Sequence, residues 1–209
     1  MIRNLKVLGL ALVALVAMSA LASTASAQFE SEAESTNLTV SSNTMQKFTP
    51  SEGGAAIECT KISATGTQTG KVNTTVTISP TYSSCETFLG AATSVTTNGC
   101  KYVFHSAAKS TTGTTDVECE GTNQIEIKVG SICTYKIGTQ TGLSSVNFKN
   151  TGSGTTREVI VEPAVKGIKS TLTTNDFFCP AAGSTGTYSG TSTTTGENSK
   201  GEHIGIFVD

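Results

Sequence analysis

After residue 27, no stretch of helical length repeats apolar residues at three- and four-residue spacing, whereas short segments that alternate apolar and polar residues recur to the end of the chain. "KVNTTVTIS" (71–79), "CKYVFHS" (100–106), "QIEIKV" (124–129) and "CTYKI" (133–137) show the alternation best. Others lie near 37–42, 56–63, 92–97, 116–120, 145–150, 157–163, 185–195 and 203–208, separated by turn clusters such as "SEGG", "STTGTT" and "NTGSGTT". Threonine supplies about a fifth of residues 28–209, and its β-branched side chain suits a pleated surface with one wet face. Parallel strands would need helical crossovers, for which no segment is available. The pattern therefore predicts an all-β chain: an antiparallel β-sandwich or barrel-like fold of short strands. No fixed repeat period supports a solenoid or propeller.

The first residues, "MIRNLKVLGLALVALVAMSALASTASA", place Arg3 and Lys6 before an apolar run that ends in Ala25-Ser26-Ala27. This is the order of a secretory signal peptide cleaved before Gln28. Three parts follow from it: a signal peptide (1–27), a polar N-terminal arm (28–36, "QFESEAEST") read as flexible, and a single all-β domain (37–209). No membrane span is expected after cleavage. Loss of Arg3 and Lys6 leaves an acidic mature chain, since the whole sequence has 14 Lys and Arg against 16 Asp and Glu. Such a balance offers no basic stripe for a nucleic-acid backbone.

All six cysteines (Cys59, Cys85, Cys100, Cys119, Cys133 and Cys179) lie in the exported part, and no Cys-x-x-Cys pair occurs. An even count behind a signal peptide points to disulfides rather than zinc or a redox motif. Strand parity supports this, because Cys59 shares a side with Ile57, Cys100 with Tyr102 and Phe104, Cys119 with Val117, and Cys133 with Tyr135 and Ile137. The same parity sets Ile62 opposite Cys59. Fifteen pairings are formally possible; Cys59 with Cys85, Cys100 with Cys119 and Cys133 with Cys179 close moderate loops between neighbouring antiparallel strands and are preferred. Around "VGSI" (129–132), a two-residue turn would put Ile125, Ile127 and Val129 opposite Cys133, Tyr135 and Ile137. A three-residue loop or bulge pairing Val129 with Cys133 unites both apolar sets and is favoured.

Candidate chemistry is sparse. His105 and His203 are the only histidines, both on the polar side of their strands, and the three aspartates are far apart. No Gly-x-Ser-x-Gly elbow is present. Glu118 and Glu120 flank Cys119 on an outer face, the arrangement of a solvated edge. No catalytic residue, metal or cofactor is assigned. With Trp absent, Tyr82 and Tyr188 are the rings expected to stand exposed, and Tyr188 sits in a Ser/Thr-rich segment suited to glycan contact.

The segments "NGCKYVF" (98–104), "VECEGTNQIEI" (117–127), "CTYKIGTQ" (133–140), "VKGIKST" (165–171) and "GTYSGTSTTTG" (186–196), behind a signal peptide, resemble a group of small exported, cysteine-stapled β-proteins of actinobacteria that occur as many paralogues. The resemblance implies export and a stapled β fold, with no activity, cofactor or functional residue attached. The expectation is a secreted, non-catalytic extracellular or cell-envelope module engaged in surface binding or adhesion, with a cell-wall or surface glycan or another envelope protein as partner. A hydrolase with a spatially assembled site and a glycan-binding module are the alternatives.

Overall fold

The alternating segments run further than their apolar residues alone mark, and they pair with one another in chain order. The computed structural model describes residues 28–87, 90–106, 111–174 and 179–209; the predicted signal peptide lies outside them. After β1 (Phe29–Ser31), β2 (Ser35–Ser42) and β3 (Gln46–Thr49) form one stave broken by a bulge, paired along β4 (Ile57–Thr69). Beyond β5 (Val72–Asn73), β4 pairs with β6 (Thr75–Thr87). β7 (Ala92–Thr96) turns back on the end of β6, whose beginning pairs with β8 (Lys101–Ser106). β8 pairs with β9 (Thr112–Glu118). The hairpin β10 (Ile125–Val129) and β11 (Cys133–Ile137) precedes β12 (Gln140–Thr151), which pairs with β9 and with β13 (Glu158–Ile168). β14 (Thr171–Thr174) adds to β11. β15 (Gly186–Ser189) and β16 (Ser192–Glu197) form a second interrupted stave between β13 and the β2–β3 stave. The chain closes with β17 (His203–Ile204) and β18 (Ile206–Val208).

The ring β2/β3, β4, β6, β8, β9, β12, β13, β15/β16 is an eight-stranded antiparallel barrel with up-and-down order, the barrel alternative of the sequence reading. In such an order, consecutive connections alternate between the two ends. The connections after β6, β9 and β13 all emerge at one end, and they carry β7, the β10–β11 hairpin and β14. These join side by side as β7-β10-β11-β14 and form a flap over that mouth. The other end is floored by the three-stranded sheet β18-β1-β5.

Inward positions are apolar, among them Val40, Phe48, Ile78, Val117, Val146 and Val161. Threonine is frequent at the outward positions, although Thr36, Thr115 and Thr194 are buried. Across four neighbouring strands the outer face carries the rows Thr193, Ser41, Ser63, Thr81 and Thr195, Thr39, Thr65, Ser79.

The disulfides are Cys59–Cys85, Cys100–Cys119 and Cys133–Cys179, the preferred pairs. The β10–β11 register pairs Val129 with Cys133, so both apolar sets share the face of the flap that packs on the core. Two expectations are corrected. Residues 28–36 are not a loose arm: Phe29 is buried against Phe148, and β1 is held between β18 and β5. Ile62 is buried on the same side as Cys59, because Thr60 and Lys61 both face outward, opposite Ser84 at φ 53°, and the parity of the pleat resets there.

Candidate functional site

Alternation along β6 sends Val76, Ile78, Pro80 and Tyr82 into the barrel; β8 contributes Tyr102 and Phe104, β15 Tyr188, and β3 Gln46 and Phe48. All of these except Val76 and Pro80 line a cavity of about 90 Å³ in the half of the barrel beneath the flap, whose Val95, Ile125, Ile127 and Ile137 form its roof. A second cavity of about 50 Å³ lies toward the floor, bounded by Phe29, Phe148 and Ile206, and Val40, Ile78, Phe104, Val161 and Ser192 border both. An eight-stranded barrel is just wide enough for its own side chains or one small ligand.

The lining of the first cavity is apolar apart from the hydroxyl residues Thr115 and Ser192 and one row of linked polar groups, and among the described residues no charged side chain borders it. The linked groups are a row of three phenols ending on an amide. The Tyr82 and Tyr102 hydroxyls are 2.8 Å apart, the Tyr82 hydroxyl donates to that of Tyr188 at 3.3 Å, and the Tyr188 hydroxyl donates to Gln46 Oε1 at 2.7 Å. The Tyr82 and Tyr188 rings meet edge to face, with centroids 6.4 Å apart. Gln46 is itself buried, and its Nε2 donates to the carbonyls of Thr44 and Thr191 across the bulges of the two interrupted staves. Gly190 makes room for this amide: a Cβ there would lie 2.4 Å from Gln46 Oε1.

Burial disfavours a phenolate, and it pushes Tyr102 up to about 12. Burial, and then the neighbouring phenols, raise Tyr82 well above the ordinary tyrosine value; burial likewise raises Tyr188 far above it. All three therefore stay neutral at physiological pH. Chemically, the site can bury a small apolar body and hydrogen-bond one polar group.

The residues singled out from the sequence fall as follows. Tyr82 and Tyr188 were expected on the outer surface; both turn into the barrel, so the glycan contact built on their exposure has no footing. The signal that could have found this was parity with Val76 and Ile78, masked by Pro80, which reads as a strand breaker. His105 lies on the outer wall with Nε2 2.9 Å from Asp116 Oδ2, and Asp116 Oδ1 accepts the Gly142 amide at 2.7 Å. This pair borders neither cavity. His203 is exposed opposite Glu197, and Glu118 and Glu120 are exposed beside Cys119. Among the described residues, no cluster of His, Cys, Asp and Glu is suited to a metal ion. Gln46 and Tyr102 were not singled out as site residues.

No known protein family, curated protein or solved structure matches this chain.

Proposed function

We propose that the protein is an exported, non-catalytic binding protein that holds a small, predominantly apolar molecule inside its barrel, beneath the flap. One observation carries this reading: a chain of hydrogen-bonded phenols on the wall of a largely apolar cavity that no charged side chain borders among the described residues. Few orienting polar groups in an apolar hollow is the usual composition of a small-molecule site. A barrel that needed only to be stable would place an aliphatic side chain at Tyr82 or Tyr188 and fill the space. The three disulfides and the sequence's leader both fit an oxidising, extracellular setting.

The chain has four tyrosines and no tryptophan, so its intrinsic emission comes largely from the cavity. Titration of the secreted protein with methylcyclohexane, which does not absorb at the excitation wavelength, should change tyrosine emission saturably. Val165→Phe, which fills the cavity from its wall, should abolish that response with the far-UV dichroism unchanged. An emission that stays flat at probe saturation contradicts the proposal.

The outer rows of serine and threonine hydroxyls favour a second reading, in which the barrel wall also contacts a hydroxyl-rich surface such as cell-wall glycan. Thr39→Lys with Thr65→Lys should then release the protein from isolated cell walls, and unchanged retention would dispose of it.

A further inference from the structure

We infer that the cavity selects a neutral ligand bearing an N–H or O–H group, and discriminates against carboxylates and against ligands whose polar atom can only accept a hydrogen bond. The inference rests on the interior binding reading and adds the chemical class of its ligand.

The argument begins at Gln46. Its Nε2 lies 2.9 Å from the Thr44 carbonyl and 3.2 Å from that of Thr191. Carbonyls only accept, so the nitrogen end of the amide is fixed there and Oε1 must face Tyr188. An amide oxygen has no proton to give, so the 2.7 Å contact consumes the single Tyr188 proton. Tyr188 can then only accept at its other contact, and the Tyr82 hydroxyl must supply the proton for it. Tyr82 is left to accept in turn, so the 2.8 Å bond to Tyr102 takes the Tyr102 proton. Three hydroxyl protons make three bonds, all running toward Gln46. What the row presents to the cavity is oxygen lone pairs, ending at Tyr102.

A ligand carbonyl or carboxylate brought to that end would meet lone pair against lone pair, in a wall with no cationic side chain to offset an anion. An ammonium group would find acceptors but no counter-charge, again at a large desolvation penalty. A neutral hydroxyl or amine-type N–H satisfies the open acceptor. Two other hydroxyl residues line the cavity: Thr115, whose Oγ1 donates to the Asp116 carbonyl at 3.4 Å, and Ser192, where the two cavities meet; the removal of Ser192 therefore belongs in the test.

Calorimetric titration of the secreted protein with cyclohexanol, cyclohexanone, methylcyclohexane and cyclohexanecarboxylate separates the possibilities, since the four share one ring and differ in the polar group. Cyclohexanol should bind about tenfold more tightly than cyclohexanone, the value of one net hydrogen bond, and the carboxylate should not bind measurably. Gln46→Met removes the acceptor that sets the sense of the row and should bring the alcohol-to-ketone ratio to about one; Ser192→Ala tests the competing hydroxyl, and a ratio that falls to about one in that variant assigns the preference to Ser192 and overturns the role of the row. Cyclohexanone or the carboxylate binding as well as cyclohexanol overturns the selectivity while leaving the cavity reading intact. If none of the four binds, methylcyclohexane included, the cavity reading itself fails. The wild-type comparison decides the matter even if Gln46→Met does not fold.

Discussion

Raising the pH tests the burial of the phenols directly. The side chains of Tyr82, Tyr102 and Tyr188 hold their protons more tightly in the fold than a free tyrosine does near pH 10. Above pH 10 the unfolded chain releases protons that the native state retains. Stability therefore falls with rising pH, by about 1.4 kcal/mol per pH unit for each such group. For Tyr102, pushed up to about 12, passing from well below pH 10 to well above pH 12 withdraws about 3 kcal/mol. The full contribution is present below pH 10 and disappears once the folded value is passed. Tyr82 and Tyr188, raised in the same direction by burial, add to that loss, and a domain typically has only ~5–15 kcal/mol to lose. Absorbance at 295 nm should show little tyrosinate until the barrel opens, then a steep cooperative rise that coincides with loss of the β-type dichroism. Urea midpoints measured between pH 9 and 11.5 should fall accordingly, and Tyr102→Phe should reduce the slope by one proton. A gradual rise centred near pH 10 with intact dichroism would show solvated phenols and refute the closed cavity.

Two further changes probe the supports of the site. Gly190→Ala drives a methyl group into the buried Gln46 amide, which is held by two carbonyls and cannot swing aside; a loss of about 1–3 kcal/mol in urea unfolding is expected, whereas Gly183→Ala, where a Cβ meets open space, should be neutral. Replacing Cys133 and Cys179 together by alanine opens a 46-residue separation and should cost about 4 kcal/mol of stability; because this bridge anchors the flap, methylcyclohexane binding should weaken in the same variant, and unchanged binding would remove the flap from the site.

Period-two alternation made the all-β class and the apolar side of most strands readable, because a pleat allows only two faces. It also favoured the β10–β11 register that the fold adopts, since the alternative puts Ile125, Ile127 and Val129 on the face opposite Cys133, Tyr135 and Ile137. Closure into a barrel was not readable, since alternation says which face a residue takes and nothing about which strand lies beside it. The inward turn of Tyr82 was hidden by Pro80, taken as the end of a strand. In the fold, β6 pairs β8 only through Thr75–Ile78 and β7 only from Cys85. Among the described residues, that edge has no ladder partner at Pro80, the situation in which a strand tolerates a residue without an N–H. Tyr188 was hidden differently: serine, threonine and glycine around it give no apolar contrast from which an inward side could be read. Phe29 drew no notice among glutamates, although a single anchored ring suffices to fix β1 on the floor.

The position of the sulfur bridges bears on whether the hollow can exist without a ligand. Cys59–Cys85 ties β4 to β6 where β7 turns back, Cys100–Cys119 ties the chain just before β8 to the chain just after β9, and Cys133–Cys179 lies in the flap. All three sit at the roofed end. The floor is closed without them, by β1 and β18 with the Gln28–Asp209 backbone pair, and by Asn150, which both donates to and accepts from the Val208 backbone. An unfilled cavity of about 90 Å³ costs about 2 kcal/mol at the ~24 cal/mol per Å³ observed for residual cavities. The 26-residue separation of Cys59–Cys85 alone gives about 3.5 kcal/mol, so one rim bridge outweighs the penalty. Covalent closure at the mouth thus lets the chain leave its centre empty and still fold, and a ligand entering the barrel occupies space that the fold already maintains.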